Sequence, residues 1–512
     1  MAFNAAAMRD ACAQSSDASP FAPSLTDPGA AQRFKTDPAT RTTATAAPST
    51  SAGETGSDST TAIAKKKKKK PKPGEPHPPP PPPPAPTGAP QAAGGHTSAQ
   101  QIGERAPYAD AYRPPDALPQ RPRPPLKDAF DPIGIRIGSF VLKPSIDVTR
   151  GYETNPSHVP GGKPSGFTNV EGAAKLQSDW SRHEFGLDLR GSYAEYDSNS
   201  TLSRPMLDTK AHGRYDINRD TSVNAEARYL LSTDYPGSPN VPVGFAKLPI
   251  SESYGSTLGL TQRFNRLELS AKATADRTQY ESTPLLDGTS SSNKDRDYDQ
   301  LGGAVRAAYE VFPGVKPFVE MAADARKHDL QFDRDGLQRD SHSLTPRAGT
   351  SFDIASKLKG EISVGYTTRH FVDATLPDLN GVVADASLIW SATGLTTVTL
   401  TAKSTADETV LTAVSGVLRR DVGIQVDHAL RRWLIWTLKA GYGFDDYVSD
   451  PCTCNGGVDR QDKRVSLGSV ITYKISPEIW LKGEYRYDQL RSNTTGVDYS
   501  SNAFLVGLKL QR

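Results

Sequence analysis

The feature that most constrains this chain is a period of two that recurs from about Gly134 to the C-terminus. In Phe185-Gly186-Leu187-Asp188-Leu189-Arg190-Gly191-Ser192-Tyr193, every second residue is apolar or small, and Gly, Asp, Arg and Ser stand between. The next segment repeats it, with Leu207, Thr209, Ala211, Gly213, Tyr215 and Ile217 on one side and Asp208, Lys210, His212, Arg214 and Asp216 on the other. Side chains of a strand alternate between faces, so the pattern describes a sheet with one oily and one wet face. A soluble sandwich buries its oily face against a second sheet. A transmembrane barrel turns that face to lipid and keeps the charged face inside, in segments of about ten alternating residues between turns. The second description fits.

The chain is hydrophilic overall, and no run of about 20 apolar residues exists to cross a bilayer as a helix. A barrel survives this test, because only half of each strand faces lipid. Charge is nearly balanced, with 60 basic and 58 acidic residues, and nothing in it points to a nucleic-acid partner. Cys12, Cys452 and Cys454 are too few for a disulfide framework and are not spaced as a structural zinc site. Cys452 and Cys454 sit in an expected outer loop, where they are either closed into a small ring or free. No cofactor is expected. A barrel of this kind is expected to be exported behind a signal peptide, yet Met1 to Gln14 carries Arg9 and Asp10 where an apolar core would lie. Cys12 lacks the upstream leucine of a lipoprotein box and is not read as a lipid anchor.

A sharp boundary falls near residue 132, since 25 of the 41 prolines precede or occupy it. Residues 1 to 132 are expected to form a disordered, low-complexity arm, and residues 133 to 512 the barrel. Within the arm, Lys65 to Lys70 leads into the proline-rich stretch Pro71 to Pro86. At ~3.1 Å per residue in the polyproline II form, that stretch spans roughly 50 Å. The lysine run is read first as a solvated linker with no dedicated partner. Attraction to cell-wall carboxylates or lipid phosphates is the second reading.

Beyond the boundary about 18 strands are expected, in nine pairs. Short turns fall near Ser181-Arg182, Asn218 to Asp220, Asn265-Arg266, Phe312 to Gly314, Ala355-Ser356, Thr393-Gly394, Leu430 to Arg432 and Ser476 to Glu478. Longer connections fall near 154 to 166, 197 to 205, 236 to 250, 282 to 296, 331 to 341, 372 to 381, 406 to 416, 449 to 461 and 490 to 499. Strict alternation of short and long suits short periplasmic turns and long extracellular loops. An even strand number puts both chain ends, and the arm, in the periplasm. Trp180, Phe264, Tyr309, Phe352, Trp390, Trp433, Tyr473 and Trp480 lie beside short turns, and Tyr193, Tyr229, Tyr280, Tyr366, Tyr442, Phe444, Tyr485 and Tyr487 toward long-loop ends. Two such belts are what interfacial anchoring of amphipathic rings predicts.

The segment Asp131-Pro132-Ile133-Gly134-Ile135-Arg136-Ile137-Gly138-Ser139-Phe140-Val141-Leu142-Lys143-Pro144, with Gly151-Tyr152-Glu153-Thr154-Asn155-Pro156 after it, resembles the putative beta-barrel porin family of outer-membrane proteins from alphaproteobacteria. Leu376-Pro377-Asp378-Leu379-Asn380-Gly381 and Leu395-Thr396-Thr397-Val398-Thr399-Leu400-Thr401-Ala402 are similar to it as well. The resemblance spans about residues 130 to 512. It implies an outer-membrane barrel in contact with lipid. The last strand, with Phe504, Val506, Leu508 and Leu510 on one face, looks like the signal read by the barrel-assembly machinery, although the chain ends Leu510-Gln511-Arg512 where many porins end in Phe.

No catalytic pattern stands out: there is no Gly-x-Ser-x-Gly, no His-Glu-x-x-His, no phosphate-binding glycine loop and no calcium loop. The chain is not expected to be an enzyme. What the alternation does offer is a charged inner wall. Its expected lumen-facing residues include Asp188, Arg190, Lys210, Arg214, Arg228, Lys272, Arg306, Arg326, Arg347, Arg369, Lys439, Lys482, Glu484, Arg486 and Asp488. Opposite charges recur along it, as in Lys482-x-Glu484-x-Arg486-x-Asp488, and such ladders stiffen the wall by pairing across strands or line a water path. Barrels of 16 to 18 strands hold an aqueous channel unless something fills them. The expected function is a porin-like channel for small hydrophilic solutes with weak ion selectivity. The alternatives are a structural envelope barrel tethered through its arm, and a polysaccharide secretion conduit, which the mixed signs disfavour.

Overall fold

The computed structural model describes residues 130, 132–242, 244–354, 357–411, 414–449 and 460–512. All of the arm but residues 130 and 132, and all three cysteines, lie outside these residues. Eighteen long strands form the wall. The first six are β1 (Phe140–Glu153), β2 (Ser165–Ser178), β3 (Glu184–Tyr196), β4 (Arg204–Asp216), β5 (Thr221–Thr233) and β6 (Ile250–Phe264). Next come β7 (Leu267–Tyr280), β8 (Tyr298–Tyr309), β9 (Val315–His328), β10 (Ser341–Ile354), β11 (Leu358–Phe371) and β12 (Leu379–Thr393). The last six are β13 (Thr396–Asp407), β14 (Val414–Arg431), β15 (Leu434–Ser449), β16 (Gln461–Lys474), β17 (Ile479–Ser492) and β18 (Tyr499–Gln511). Each pairs antiparallel with its chain neighbours, and β18 closes on β1 from Ser145↔Gln511 to Glu153↔Ala503. Closure leaves no long edge, which is what a sheet needs in a medium that offers its backbone no hydrogen bonds.

The described short turns and long connections fall where the sequence places them; Ala355-Ser356 and most of the connection 449 to 461 lie outside the described residues. Both ends of the wall lie at the short-turn end: Phe140 faces Ser178, and the Gln511 amide donates to the Glu478 carbonyl. Below the point where β18 stops, a short strand, Ile135–Ile137, pairs with Phe140 to Leu142 and covers the remaining edge of β1.

Register follows the alternation. Leu189 and Tyr193 of β3, Leu258 and Leu260 of β6, and Val506 and Leu508 of β18 are exposed on the outer face. Such a surface is stable only against lipid or another apolar partner. The belts hold with two exceptions: Tyr280 and Trp480 point inward, Tyr280 beneath the Arg296 guanidinium and Trp480 between Lys474 and Lys509. Both stand at strand ends, where counting aromatics along the chain cannot tell one face from the other.

Candidate functional site: the inner wall and its strap

Directly opposed residues of neighbouring strands share a face. One row runs Asp188↔Lys210↔Arg228↔Gly255↔Asp276↔Gln300↔Arg326, from β3 to β9. Arg190 and Arg214 share the faces of Asp188 and Lys210 on their strands. Further round, Arg306↔Glu320↔Arg347 and Asp324↔Ser343↔Arg369 continue the same face, with Lys272 opposite Ala304. Lys439 lies opposite Gln425 and Gly468, and Gly468 opposite Arg486, which shares its face with Lys482, Glu484 and Asp488. All fifteen residues singled out from sequence therefore occupy the face opposite the exposed leucines and valines.

Most of these charges are neutralised across strands. Arg190 reaches Glu171 at 2.5 Å, Lys210 reaches Glu226 at 2.7 Å, and Arg228 reaches Asp276 at 2.5 Å. Arg306 reaches Glu361 and Arg369 reaches Asp324, both at 2.6 Å. Asp188 lies 3.3 Å from Lys175, Lys272 3.9 Å from Glu320, and Arg214 3.2 Å from Asp216. Arg347 pairs with Asp385, Lys482 with Asp147, and Arg486 with both Glu153 and Asp488. Desolvated charges of this kind persist because each has a partner close by.

Connections fold inward at the long-loop end. Residues 234–249, between β5 and β6, form a strap that leaves the wall and packs against them. Its root is closed by the Asp234 amide donating to the Pro249 carbonyl at 2.9 Å. The Asp234 carboxylate, fully buried, receives Arg296 at 2.9 Å, and that guanidinium stacks 3.7 Å above the Tyr280 ring. Burial alone would weaken the Arg296 charge, but Asp234 and Tyr280 outweigh it and raise the pKa. Next along the strap, the Tyr235 ring stacks on His158 at 5.0 Å, and His158 stacks on Tyr499 at 4.7 Å. Burial pushes the Tyr235 phenol up. His158 also bonds Glu153 at 3.2 Å, and the same carboxylate accepts from Tyr196 and Ser501, each at 3.2 Å. Gly237, at φ 77, passes so close to this cluster that a Cβ there would sit 2.4 Å from the His158 carbonyl oxygen.

The strap's far end meets a connection from the other side of the ring. The Val410 amide donates to the Asn240 side-chain oxygen at 3.2 Å. Val410 belongs to the connection between β13 and β14, eight strands on from β5 in a ring of eighteen. With ~4.8 Å between strands and a tilt of about 40°, the diameter of the ring is roughly 35 Å between backbones. The seven residues from Thr233 to Asn240 reach at most about 25 Å, so the two connections meet by both folding inward. Glu408 fixes the landing point: it receives Arg326 at 3.2 Å and His328 at 2.9 Å from β9, and Arg326 also donates to the Ala406 carbonyl at 3.1 Å. Burial would raise the Glu408 carboxyl, but His328, Arg326 and Arg339 hold it well below the usual carboxylate range. Leu411 packs on Val414, Val417 and Tyr447 beside it.

Sequence reasoning singled out none of Asp234, Tyr235, Asn240, Arg296 or Glu408. A signal was there. The stretch Asp234-Tyr-Pro-Gly-Ser-Pro-Asn-Val-Pro-Val-Gly-Phe-Ala-Lys-Leu-Pro249 holds only two charges in sixteen residues.

The family model described as "Putative beta-barrel porin 2" matches residues 128–512. The chain belongs to this family. Among solved structures, Pseudomonas aeruginosa OpdL is 14% identical, with 73% of this chain and 99% of that one covered and a TM-score of 0.37. Pseudomonas aeruginosa OccK3 (OpdO) is 13% identical over 72% and 96% of the two chains, at a TM-score of 0.38. The siderophore receptor PiuA from Acinetobacter baumannii is 10% identical over 74% and 82%, at a TM-score of 0.39. With TM-scores this low, none of the three carries the assignment; the family match and the strand topology do. Curated protein sequences offer no match. This porin-family chain is thus an outer-membrane β-barrel.

Proposed function

We propose that this barrel is a channel for small hydrophilic solutes, narrowed at its long-loop end by the strap 234–249 and weakly selective among ions. The observation that supports it most is the inner wall, where cations and carboxylates alternate and pair across strands, leaving little field of one sign to favour ions of one charge. The long loops are taken as extracellular and the short turns as periplasmic. Both chain ends, and the proline-rich arm, then lie in the periplasm, where the arm can meet the cell wall. On this reading the last strand is what the assembly machinery reads.

The strap favours a second reading, in which the bore is sealed and the barrel serves the envelope as a structural element. Liposome swelling separates the two. Proteoliposomes should swell in uncharged sugars at rates that fall steeply with sugar size. Swelling no faster than in protein-free liposomes, for even the smallest sugar, would remove the channel reading.

A further inference from the structure

The upper part of the seam between β12 and β13 is lapped and not laddered. The two strands pair from Thr393↔Thr396 to Ala386↔Ala402, although they run on to Leu379 and Asp407. On either side the ladders continue, β11 with β12 to Arg369↔Leu379 and β13 with β14 to Asp407↔Val417. Leu379 and Val383 lie on the inward face of β12, opposite Arg369 and Gly365, and Gly365 is in turn opposite Arg347. Ala406 and Leu418 are register partners that share a face with the exposed Val422 and Ile424, on the outward side of β13 and β14. These inward and outward residues nevertheless pack in one buried cluster, joined by Phe371 and Val448. The free end of β12 therefore overlaps the outside of β13 and β14, with an apolar layer between. The break reaches membrane depth, because Ala384 lies opposite Val364, which is exposed on the outer face two residues from the belt residue Tyr366. Backbone groups there need partners from within the protein, and side chains supply them. The Ser404 hydroxyl accepts from the Ala384 amide at 2.9 Å and donates to its carbonyl at 3.2 Å. Arg420 Nε donates to the Val382 carbonyl at 3.1 Å, and Asp446 holds the same guanidinium at 2.7 Å.

We propose that this lap is a lateral passage, through which a small apolar molecule moves between the bore and the membrane leaflet at the long-loop end. Its two leaves set Leu379 and Val383 against Ala406 and Leu418, a lining that accommodates a hydrocarbon chain or an aromatic ring and rejects ions and sugars. Opening it breaks the bonds of Ser404 and Arg420 and leaves Ala386 to Thr393 paired, which costs far less than splitting a full ladder. The passage goes beyond the axial channel and does not need the bore to conduct from end to end.

The test places the full chain, with Cys12, Cys452 and Cys454 changed to Ser, in the outer membrane of a Gram-negative host that lacks its major porins. Insertion is checked by a migration difference between unboiled and boiled samples. N-phenyl-1-naphthylamine, a small apolar dye that fluoresces in lipid, is added outside, and its uptake rate is compared with that of the host without the barrel. The barrel should raise the rate, and Ser404→Ala should raise it again by about fivefold, the population shift for one lost neutral hydrogen bond. Ala384→Cys with Ser404→Cys, bridged by oxidation, should bring the rate down to that of the host, and a reductant should restore it. Should the pair fail to oxidise, Ser404→Ala decides. Uptake no faster than in the host, an unchanged rate in Ser404→Ala, or uptake that survives the bridge would each overturn the proposal; in the last case the dye follows the axis of the bore. Liposome swelling in sugars should be indifferent to the bridge. Dye uptake through a barrel that gives no swelling would keep the lap and remove the axial channel, and swelling without dye uptake would do the reverse.

Discussion

Replacing Arg296 by Met keeps an unbranched apolar stem and removes the guanidinium with its charge, and it should release the strap. Arg296 donates to an Asp234 carboxylate that has no exposed surface, so the substitution leaves a buried, uncompensated anion at the strap's root. Breaking a buried pair in this way costs about 3–5 kcal/mol. Because β5 and β6 stay in the ladder, most of that cost falls on the docked state of residues 234–249 and not on the wall. At about 1.4 kcal/mol per tenfold, the undocked population should rise roughly 10²- to 10³-fold. Lys247 is an exposed tryptic site in the strap, followed by the buried Leu248, so cleavage there reports undocking. When opening is fast relative to cleavage, the rate tracks the undocked population. Cleavage at Lys247 should therefore quicken by about two orders of magnitude, while heat-modifiable migration on a gel is kept. Tyr280→Leu, which removes only the ring beneath the guanidinium, should have a smaller effect. A cleavage rate in Arg296→Met within twofold of the unaltered protein would refute the assignment of Arg296 as the lock.

Other outcomes test other parts of the account. Cysteines placed at 188 and 190 should react with a soluble thiol reagent and those at 187 and 189 should not; the reverse would mean a register slipped by one residue, which turns every side chain over. For pH, the Glu408 carboxyl is held below its unfolded value by His328, Arg326 and Arg339. Its contribution is thus fully present above the ordinary carboxylate range and is lost only as pH falls toward the depressed folded value. Cleavage at Lys247 should not quicken as pH falls from about 8 to 5, measured with a protease active across that window; a rise on the way down already at pH 6 would contradict the Glu408 tether. The reversal potential in a salt gradient should lie near zero and shrink further toward 1 M salt, where the Debye length is about 3 Å. A value close to that of a pure cation or anion pore would contradict a pair-neutralised wall.

How much of this was legible in the sequence follows from what each feature depends on. The wall was legible because its cause is local. Leu187, Asp188, Leu189 and Arg190 alternate along the chain, and a closed barrel obliges every strand to do the same. Turn lengths were legible for a similar reason, since Asn265-Arg266 leaves room for nothing but a tight reversal. The strap was not, because docking depends on which loops a ring of eighteen strands sets facing each other. Asn240 and Val410 are 170 residues apart, and no local pattern pairs them. Trp480 was assigned to the lipid belt for want of the same information. Its inward direction follows from being opposite Lys474 and Lys509, a fact of register across three strands.

Single-channel recording in a planar bilayer, comparing the full chain with a variant in which residues 236 to 246 are replaced by a short Gly-Ser turn, tests the central claim most directly. If the wall encloses water and the strap narrows it, the full chain should show discrete ohmic openings and the variant severalfold larger ones at the same salt. An insulating barrel in both proteins, after verified insertion, would contradict the account.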